Sequence, residues 1–411
     1  MANEMRVLRP DEWDAWYSHL ELAFGGQAES PEERELWRAL IEPERALGVW
    51  DGPACTASAA AFSFRLTVPG GPLVPAAGVT CVGVAPTHRR RGLLTSLMRR
   101  QLDDVRAGDE PIAVLTASEP GIYGRFGYGI ASHGLSVDVD TARVRLEVPP
   151  GTDEVRLRLA DPEQSLAACE KVYAELVPAR PGMTARQPGW ERLPVLDPPG
   201  DRSGRSALLC VLAEGAGGGL RGYARYRIRP RWEQGSPAGQ VEVQDLDALD
   251  PAAYAALWRY VCGTDLVSSV QAYGRPVDDP LLHLVSDARR VRARAKDALH
   301  LRLVDLPAAL RARAYDSPVD VVLDVSDPFC PWNEGRWRLA ADGRGEVVCE
   351  PSREPADVAL SVRELGAAYL GGTTLASLAG SGRVTELRAG ALTEVSRAFR
   401  GELAPWLPHR F

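Results

Sequence analysis

A mixed α/β (α+β) fold divided into two or three domains is what this sequence predicts, on three observations. The chain has 411 residues, more than one hydrophobic core ordinarily organises. Residues 73–116 read as strand, basic glycine-containing loop, helix and strand, the order of an α/β unit. The last third places strands first and helices last, the order of an α+β unit. With 45% hydrophobic and 25% charged residues, the composition is that of a globular chain.

The first unit is expected to span residues 1–148. Trp13, Trp16, Tyr17, Leu20 and Phe24 give residues 9–24 one apolar helical face, with Asp11 as the expected cap. A second helix over 33–41 is anchored by Trp37, Leu40 and Ile41. Strands are expected near 46–50 and 54–67, a turn at Pro69-Gly70-Gly71-Pro72, and an extended run over 73–84. Residues 93–106 then place Leu93, Leu94, Leu97, Met98, Leu102 and Val105 at helical spacing. Gly108-Asp109 breaks the helix, and 112–116 form a short buried strand.

Pro149-Pro150-Gly151 reads as a linker into a second unit, 149–293. Its expected elements are a helix over 162–177, strands over 206–213 and 219–228 joined by a glycine-rich hairpin loop, a strand over 240–246, a helix over 251–262 and a strand over 267–272. It echoes the first unit but lacks an arginine-rich glycine turn. A third unit, 294–411, carries candidate strands at 299–304, 319–324, 335–340, 346–349 and 357–361, then helices at 362–370, 373–379 and 388–399. Its tail contains Trp406, Leu407 and Phe411, side chains that favour a pocket over water.

Several function classes lose support. A net charge of -7, from 55 acidic and 48 basic side chains, lacks the basic footprint of a dedicated nucleic-acid binder and suits a cationic partner. The seven cysteines include no C-x-x-C pair, so free thiols in a reducing cytoplasm are expected. The start, Met1-Ala2-Asn3-Glu4, lacks a basic region followed by an apolar run, and no window is long and apolar enough to span a bilayer. No metal is expected, since H-E-x-x-H is absent. A G-x-S-x-G elbow is also missing.

The chemistry concentrates where the strand 73–84 meets the helix 93–106. The junction reads Ala85-Pro86-Thr87-His88-Arg89-Arg90-Arg91-Gly92. The first amides of a helix have no intrahelical partner, and the helix dipole favours an anion there. Glycine allows close backbone approach, and arginine adds charge and forked donors. This is neither a Walker loop nor a dinucleotide fingerprint.

Arg89-x-x-Gly92, preceded by Val82-x-Val84-x-Pro86, resembles the acetyl-CoA loop of GCN5-related N-acetyltransferases. Leu94 stands where that superfamily prefers glycine or alanine. A second segment, Ser118-Glu119-Pro120-Gly121-Ile122-Tyr123-Gly124-Arg125-Phe126-Gly127-Tyr128-Gly129, is similar to the Eis (enhanced intracellular survival) family of these enzymes, and the resemblance runs over the whole length. It implies an N-terminal acetyltransferase domain, a central acetyltransferase-like domain and a C-terminal sterol-carrier-protein-like domain. It also implies acetyl-CoA as donor, a small-molecule amine as acceptor and a homo-oligomer, typically a hexamer.

By the same resemblance, Val82 and Val84 meet the pantetheine arm. Arg89, Arg90, Gly92 and Leu93 form the pyrophosphate loop, and Ser118 lies beside the cofactor arm. Tyr123 is the general acid for the leaving thiolate, with Tyr128 its nearest competitor, and Phe411 supplies a terminal carboxylate as base. Trp37 falls near the substrate pocket's aromatic wall, and Thr116 stands where the family often has histidine, implying a pocket of different polarity. The glycines around Tyr123 fit no phosphate fingerprint and are expected to permit tight turns. The expected activity is acetyl transfer to cationic multi-amine molecules such as aminoglycosides or polyamines. The competing readings are a protein lysine acetyltransferase and a non-catalytic lipid-binding protein.

Overall fold

The computed structural model describes residues 4–26, 29–343, 345–409 and 411. The chain opens with β1 (Glu4–Val7), α1 (Trp13–Ala23), α2 (Pro31–Leu40), β2 (Ala46–Asp51), β3 (Ala54–Thr67), β4 (Leu73–Val84), α3 (Leu93–Ala107), β5 (Ile112–Thr116) and β6 (Gly129–Ile130). Next come β7 (His133–Asp140), β8 (Arg156–Ala160), α4 (Leu166–Leu176), β9 (Leu209–Glu214), β10 (Leu220–Arg229) and the small hairpin β11 (Trp232–Glu233) and β12 (Ser236–Pro237). They are followed by β13 (Gly239–Ala248), α5 (Pro251–Cys262), β14 (Val267–Pro276), α6 (Leu281–Leu284) and β15 (Arg294–Asp297). The remainder is β16 (Leu299–Leu303), α7 (Leu306–Arg311), β17 (Val319–Ser326), β18 (Gly335–Ala341), β19 (Val347–Pro351), β20 (Val358–Ser361), α8 (Val362–Ala368), α9 (Leu375–Gly380), β21 (Val384–Glu386) and α10 (Ala391–Ala398).

These strands build three principal sheets, ordered β1-β2-β3-β4-β5-β16-β6, β15-β7-β14-β13-β10-β9-β8 and β19-β18-β17-β20-β21. Sheet membership departs from the expected units at three places, the first being β15 (Arg294–Asp297), which lies at the start of the expected third unit but belongs to the second sheet. The strand 133–140, before the Pro149 linker, belongs to the second sheet and pairs with β14 and β15. The strand expected to open the third unit, Leu299–Leu303, lies in the first sheet between β5 and β6. These exchanges follow from hydrogen bonding: an edge strand needs a partner, and the partner need not be near in sequence.

Local chemistry explains most helix boundaries. Ser30 caps α2 by accepting from the Glu33 amide, with Pro31 in the first turn. Asp11 does not cap α1: the helix is preceded by a tight turn over Pro10–Glu12, where the Glu12 carboxylate accepts the Arg9 amide at 3.2 Å and pairs with Arg6. Trp13, Trp16 and Tyr17 bury the inner face of α1, and the Trp16 indole donates to Leu47 O at 2.9 Å. Between the β3 and β4 partners of Ser58 and Ala60 the register slips, so that Cys81 and Val82 face one residue. Cys81 takes a left-handed φ of 53° and its carbonyl accepts from the Ser58 hydroxyl at 2.8 Å. This bulge twists the end of β4.

Candidate active site

Strands β4 and β5 run parallel and pair only through Ala76–Gly78. Beyond Gly78 they part, leaving one edge of β4 without a paired strand. A cavity of about 1110 Å³ opens in this splay, walled by α1, α2, the β4 end, the start of α3 and the segment after β5. The structure brings all the residues singled out from the sequence to it: Trp37, Val82, Val84, Arg89, Arg90, Gly92, Leu93, Thr116, Ser118, Tyr123 and Phe411.

At the floor, α3 begins at Gly92, whose φ is 80°, and no side chain caps the helix. Nothing lies within 4 Å of the position a Cβ would take at Gly92. Arg89, Arg90 and Arg91 are exposed around it. An uncapped fifteen-residue helix facing open space and flanked by guanidinium groups fits a pyrophosphate. The unpaired edge of β4 offers backbone groups to an extended amide-bearing chain. Acetyl-CoA has both features.

Tyr123 opens a short helical turn, Tyr123–Phe126, and is half-buried in the cavity wall. Desolvation, with a smaller contribution from Glu119, pushes its hydroxyl up to about 12. Tyr128 packs edge-on against it at 6.0 Å but is buried, and it does not line the cavity. Of the two tyrosines, Tyr123 is the one that faces the cavity.

The tail reaches the cavity across the second sheet's domain. Arg180 pairs with Asp278 at 2.7 Å; Arg180 donates to Ala404 O and Asp278 accepts the Ala404 amide, so one ion pair satisfies both backbone groups of that residue. Trp406 donates from its backbone to Pro181 O and from its indole to Gly274 O, at 2.8 and 2.6 Å. Trp406 and Leu407 are buried. His409 lies 2.9 Å from the Thr184 hydroxyl. The Phe411 ring packs edge-on against Phe64 at 4.9 Å, and Thr116 Oγ1 donates to Phe411 O at 3.4 Å.

Residues that the sequence reading did not single out complete the wall. Glu21, Glu29 and Glu33 come from α1, α2 and the turn between them, and Tyr17 donates to Glu29. The sequence signal of Glu21 and Glu33 is that of any solvated helix face and that of Glu29 is an ordinary turn acid, so spacing alone does not distinguish them. Trp37 stacks on Phe62 and meets Trp190 edge-on, linking this cavity to a neighbouring one of about 770 Å³ that shares Trp37, Thr116 and Ser118.

Residues 4–131 and 182–303 each match an acetyltransferase (GNAT) domain, and 306–408 match a sterol carrier protein domain. An N-acetyltransferase Eis from Mycobacterium bovis is 34% identical, with 91% of each chain covered. The chain belongs to the Eis family of GCN5-related N-acetyltransferases. Within it, an uncharacterized N-acetyltransferase from Streptomyces avermitilis is 62% identical over the full length of both chains. The crystal structure of Eis1 from Mycobacterium abscessus superposes with a TM-score of 0.84 at 33% identity, covering all of both chains. The protein is therefore an acyltransferase, with acetyl-CoA as its acetyl donor. Among the described residues no helix is long and apolar enough to cross a membrane.

Proposed function

We propose that the protein acetylates primary amines of cationic multi-amine small molecules, aminoglycosides or polyamines among them, by direct transfer. Acetyl-CoA supplies the acetyl group as a thioester. Arg89, Arg90, Gly92 and Leu93 would hold its pyrophosphate at the open end of α3, Val82 and Val84 its pantetheine arm along β4, and Ser118 the region beside that arm. Trp37 and Thr116 would shape the acceptor end.

One observation carries the choice of acceptor: Glu21, Glu29 and Glu33 line the same cavity as Phe411, whose terminal carboxylate is the proposed base. An alkylammonium with a pKa of about 10.4 must lose a proton before its nitrogen can attack. An α-carboxylate is ionised at neutral pH, attracts the cation and can take that proton directly or through a water. Tyr123 stays protonated at neutral pH and can donate to the departing sulfur. Because a thiol titrates near about 8.5, full transfer from Tyr123 is uphill, so its role is hydrogen-bond donation as charge develops. Burial pushes the Cys81 thiol up to about 12, which makes an acyl-cysteine step unfavourable and supports direct attack.

The test is a panel of polyamines, aminoglycosides, neutral and anionic acceptors and lysine peptides, read by CoA release and product mass. Turnover concentrated on the multi-amine compounds supports the reading. Activity confined to peptides, or to neutral or anionic acceptors, overturns it. A cytoplasmic hexamer belongs to the same proposal, and light scattering on the purified chain reads the assembly state.

A further inference from the structure

The segment carrying Tyr123 is a seam between the acetyltransferase domain and the C-terminal part of the chain. Gly127 has a φ of 83°, and a Cβ there would sit 1.5 Å from Arg302 Nη1. A Cβ on Gly129 would sit 2.0 Å from Arg363 O and 2.4 Å from the Ala367 amide, both in α8. The glycines beside Tyr123 therefore do more than permit a turn: they let a guanidinium and a helix backbone approach the turn that holds the tyrosine.

Arg302 lies on β16 and is fully buried. Its Nη1 donates to Phe126 O, the last carbonyl of the Tyr123 turn, at 2.5 Å. Its Nη2 donates to Asp327 at 2.6 Å. Asp327 is also buried, and it accepts the Cys330 amide at 2.9 Å and Asn333 Nδ2 at 3.0 Å. Asn333 accepts the Leu306 amide at 3.1 Å and donates to the carbonyls of Leu303 and Val304. The chain from Asn333 to Phe126 is thus one charge-assisted network with a single point of contact on the active-site turn. The two Nη atoms of one rigid planar guanidinium each hold one partner, so the position of Asp327 fixes the direction of the bond to Phe126. The backbone contacts inside the turn are longer, with Gly127 N to Gly124 O at 3.1 Å and Tyr128 N to Tyr123 O at 3.3 Å.

We infer that Arg302, oriented by Asp327, is a positioning residue for Tyr123: the C-terminal part of the chain sets where the catalytic hydroxyl sits, through a guanidinium on the carbonyl of Phe126. This rests on the proposed role of Tyr123 as donor to the leaving sulfur. A buried arginine with only a structural role would, when altered, lower stability and impair every property of the enzyme together. A positioning arginine acts through Tyr123 and has no effect once the tyrosine hydroxyl is gone.

A double-mutant cycle on the full-length chain separates these. Arg302→Lys keeps a charge opposite Asp327 but loses the fork that reaches both partners. The expected result is a loss of kcat of roughly ten- to a hundred-fold, the scale of a small misplacement of a reacting group. The KM for acetyl-CoA should stay within about twofold, and Arg302→Lys should add less than about twofold in the Tyr123→Phe background. Equal losses in both backgrounds, an unchanged kcat, or a KM that rises in step with the loss of kcat would overturn the inference. A silent Tyr123→Phe would instead overturn the donor role, which the single variant reports on its own. Should Arg302→Lys fail to fold, the same cycle run with Asp327→Asn decides the question, since it leaves the arginine in place and removes the charge that orients it.

Discussion

The chain builds the same strand–helix–strand unit twice and equips it differently. In the first copy β4, α3 and β5 follow one another, with β4 and β5 parallel neighbours. In the second, β13, α5 and β14 do the same, paired in parallel from Gly239–Val267 to Val243–Ala272. The first junction is a long basic loop ending in a left-handed glycine and an uncapped helix. The second is only Leu249-Asp250, and the helix starts at a proline that has no amide to offer. Asp250 accepts the Ala253 amide at 2.9 Å and pairs with Arg221 at 2.9 Å. A carboxylate of the protein thus stands where the first copy leaves room for a phosphate. An anion site at a helix start is a matter of what the sequence leaves open, and the shared topology does not create it.

The acceptor ends differ too. In the second copy Trp406 of the tail is bonded to Gly274 on β14, with Arg275 over its ring at 5.3 Å. The first copy receives Phe411 of the same tail in its cavity, where Thr116 Oγ1 donates to Phe411 O. One copy anchors the tail and the other is proposed to use it.

The largest effect expected from breaking this division comes from amidating the C-terminus. It keeps Phe411 and removes the charge, and kcat should fall by about a hundred-fold or more while acetyl-CoA affinity holds. Wild-type turnover in the amidated protein, with calorimetry as the binding control, would end the carboxylate's proposed role. Tyr123→Phe should lower kcat by about ten-fold or more with packing intact, measured against an unchanged acetyl-CoA dissociation constant. Since that hydroxyl titrates at about 12, its proton is retained as pH rises, and the pH profile of kcat should show no falling limb from it up to pH of about 10. A limb that disappears in Tyr123→Phe would contradict this.

Binding sharpens the contrast further. Arg89→Ala with Arg90→Ala should weaken acetyl-CoA by about ten-fold, as expected on losing one strong charge-assisted contact. Titration calorimetry of the unaltered chain should give one equivalent per chain, and two would mean that the second junction binds as well. The smallest effect is expected for Asp250→Ala, a loss of about 1 kcal/mol of helix-cap stability. It should appear as a slightly lower Tm with kcat unchanged.

Much of this was legible in the sequence because it is local. The apolar face of α1, the 93–106 helix and the Arg89–Gly92 junction depend on neighbours within a few turns. What escaped was non-local. The sequence 299–303 looks like any buried strand, and nothing in it says that Thr116, rather than a neighbour in the third sheet, lies opposite Leu299. The Gly124–Gly129 cluster was readable as turns, and Gly127 does take a left-handed φ. At Gly129 the constraint is the backbone of α8, a partner far along the chain. Glu21 and Glu33 were hidden for the opposite reason, since solvated acids on amphipathic helices are common, and Glu29 sits in the turn between those helices.

The insertion of β16 into the first sheet also governs how the molecule is made. As the chain leaves the ribosome, β5 is synthesised early, but its second neighbour is Leu299–Leu303. At about 5–20 residues per second, that edge waits on the order of ten seconds or longer for its partner. During that interval the nascent domain presents an apolar strand edge that a chaperone, or a neighbouring nascent chain, is free to pair with. Products of interrupted translation that stop before Leu299 would carry the Arg89–Gly92 loop and still lack the strand on which Arg302 sits, so the quality of the finished enzyme is tied to the completion of its synthesis.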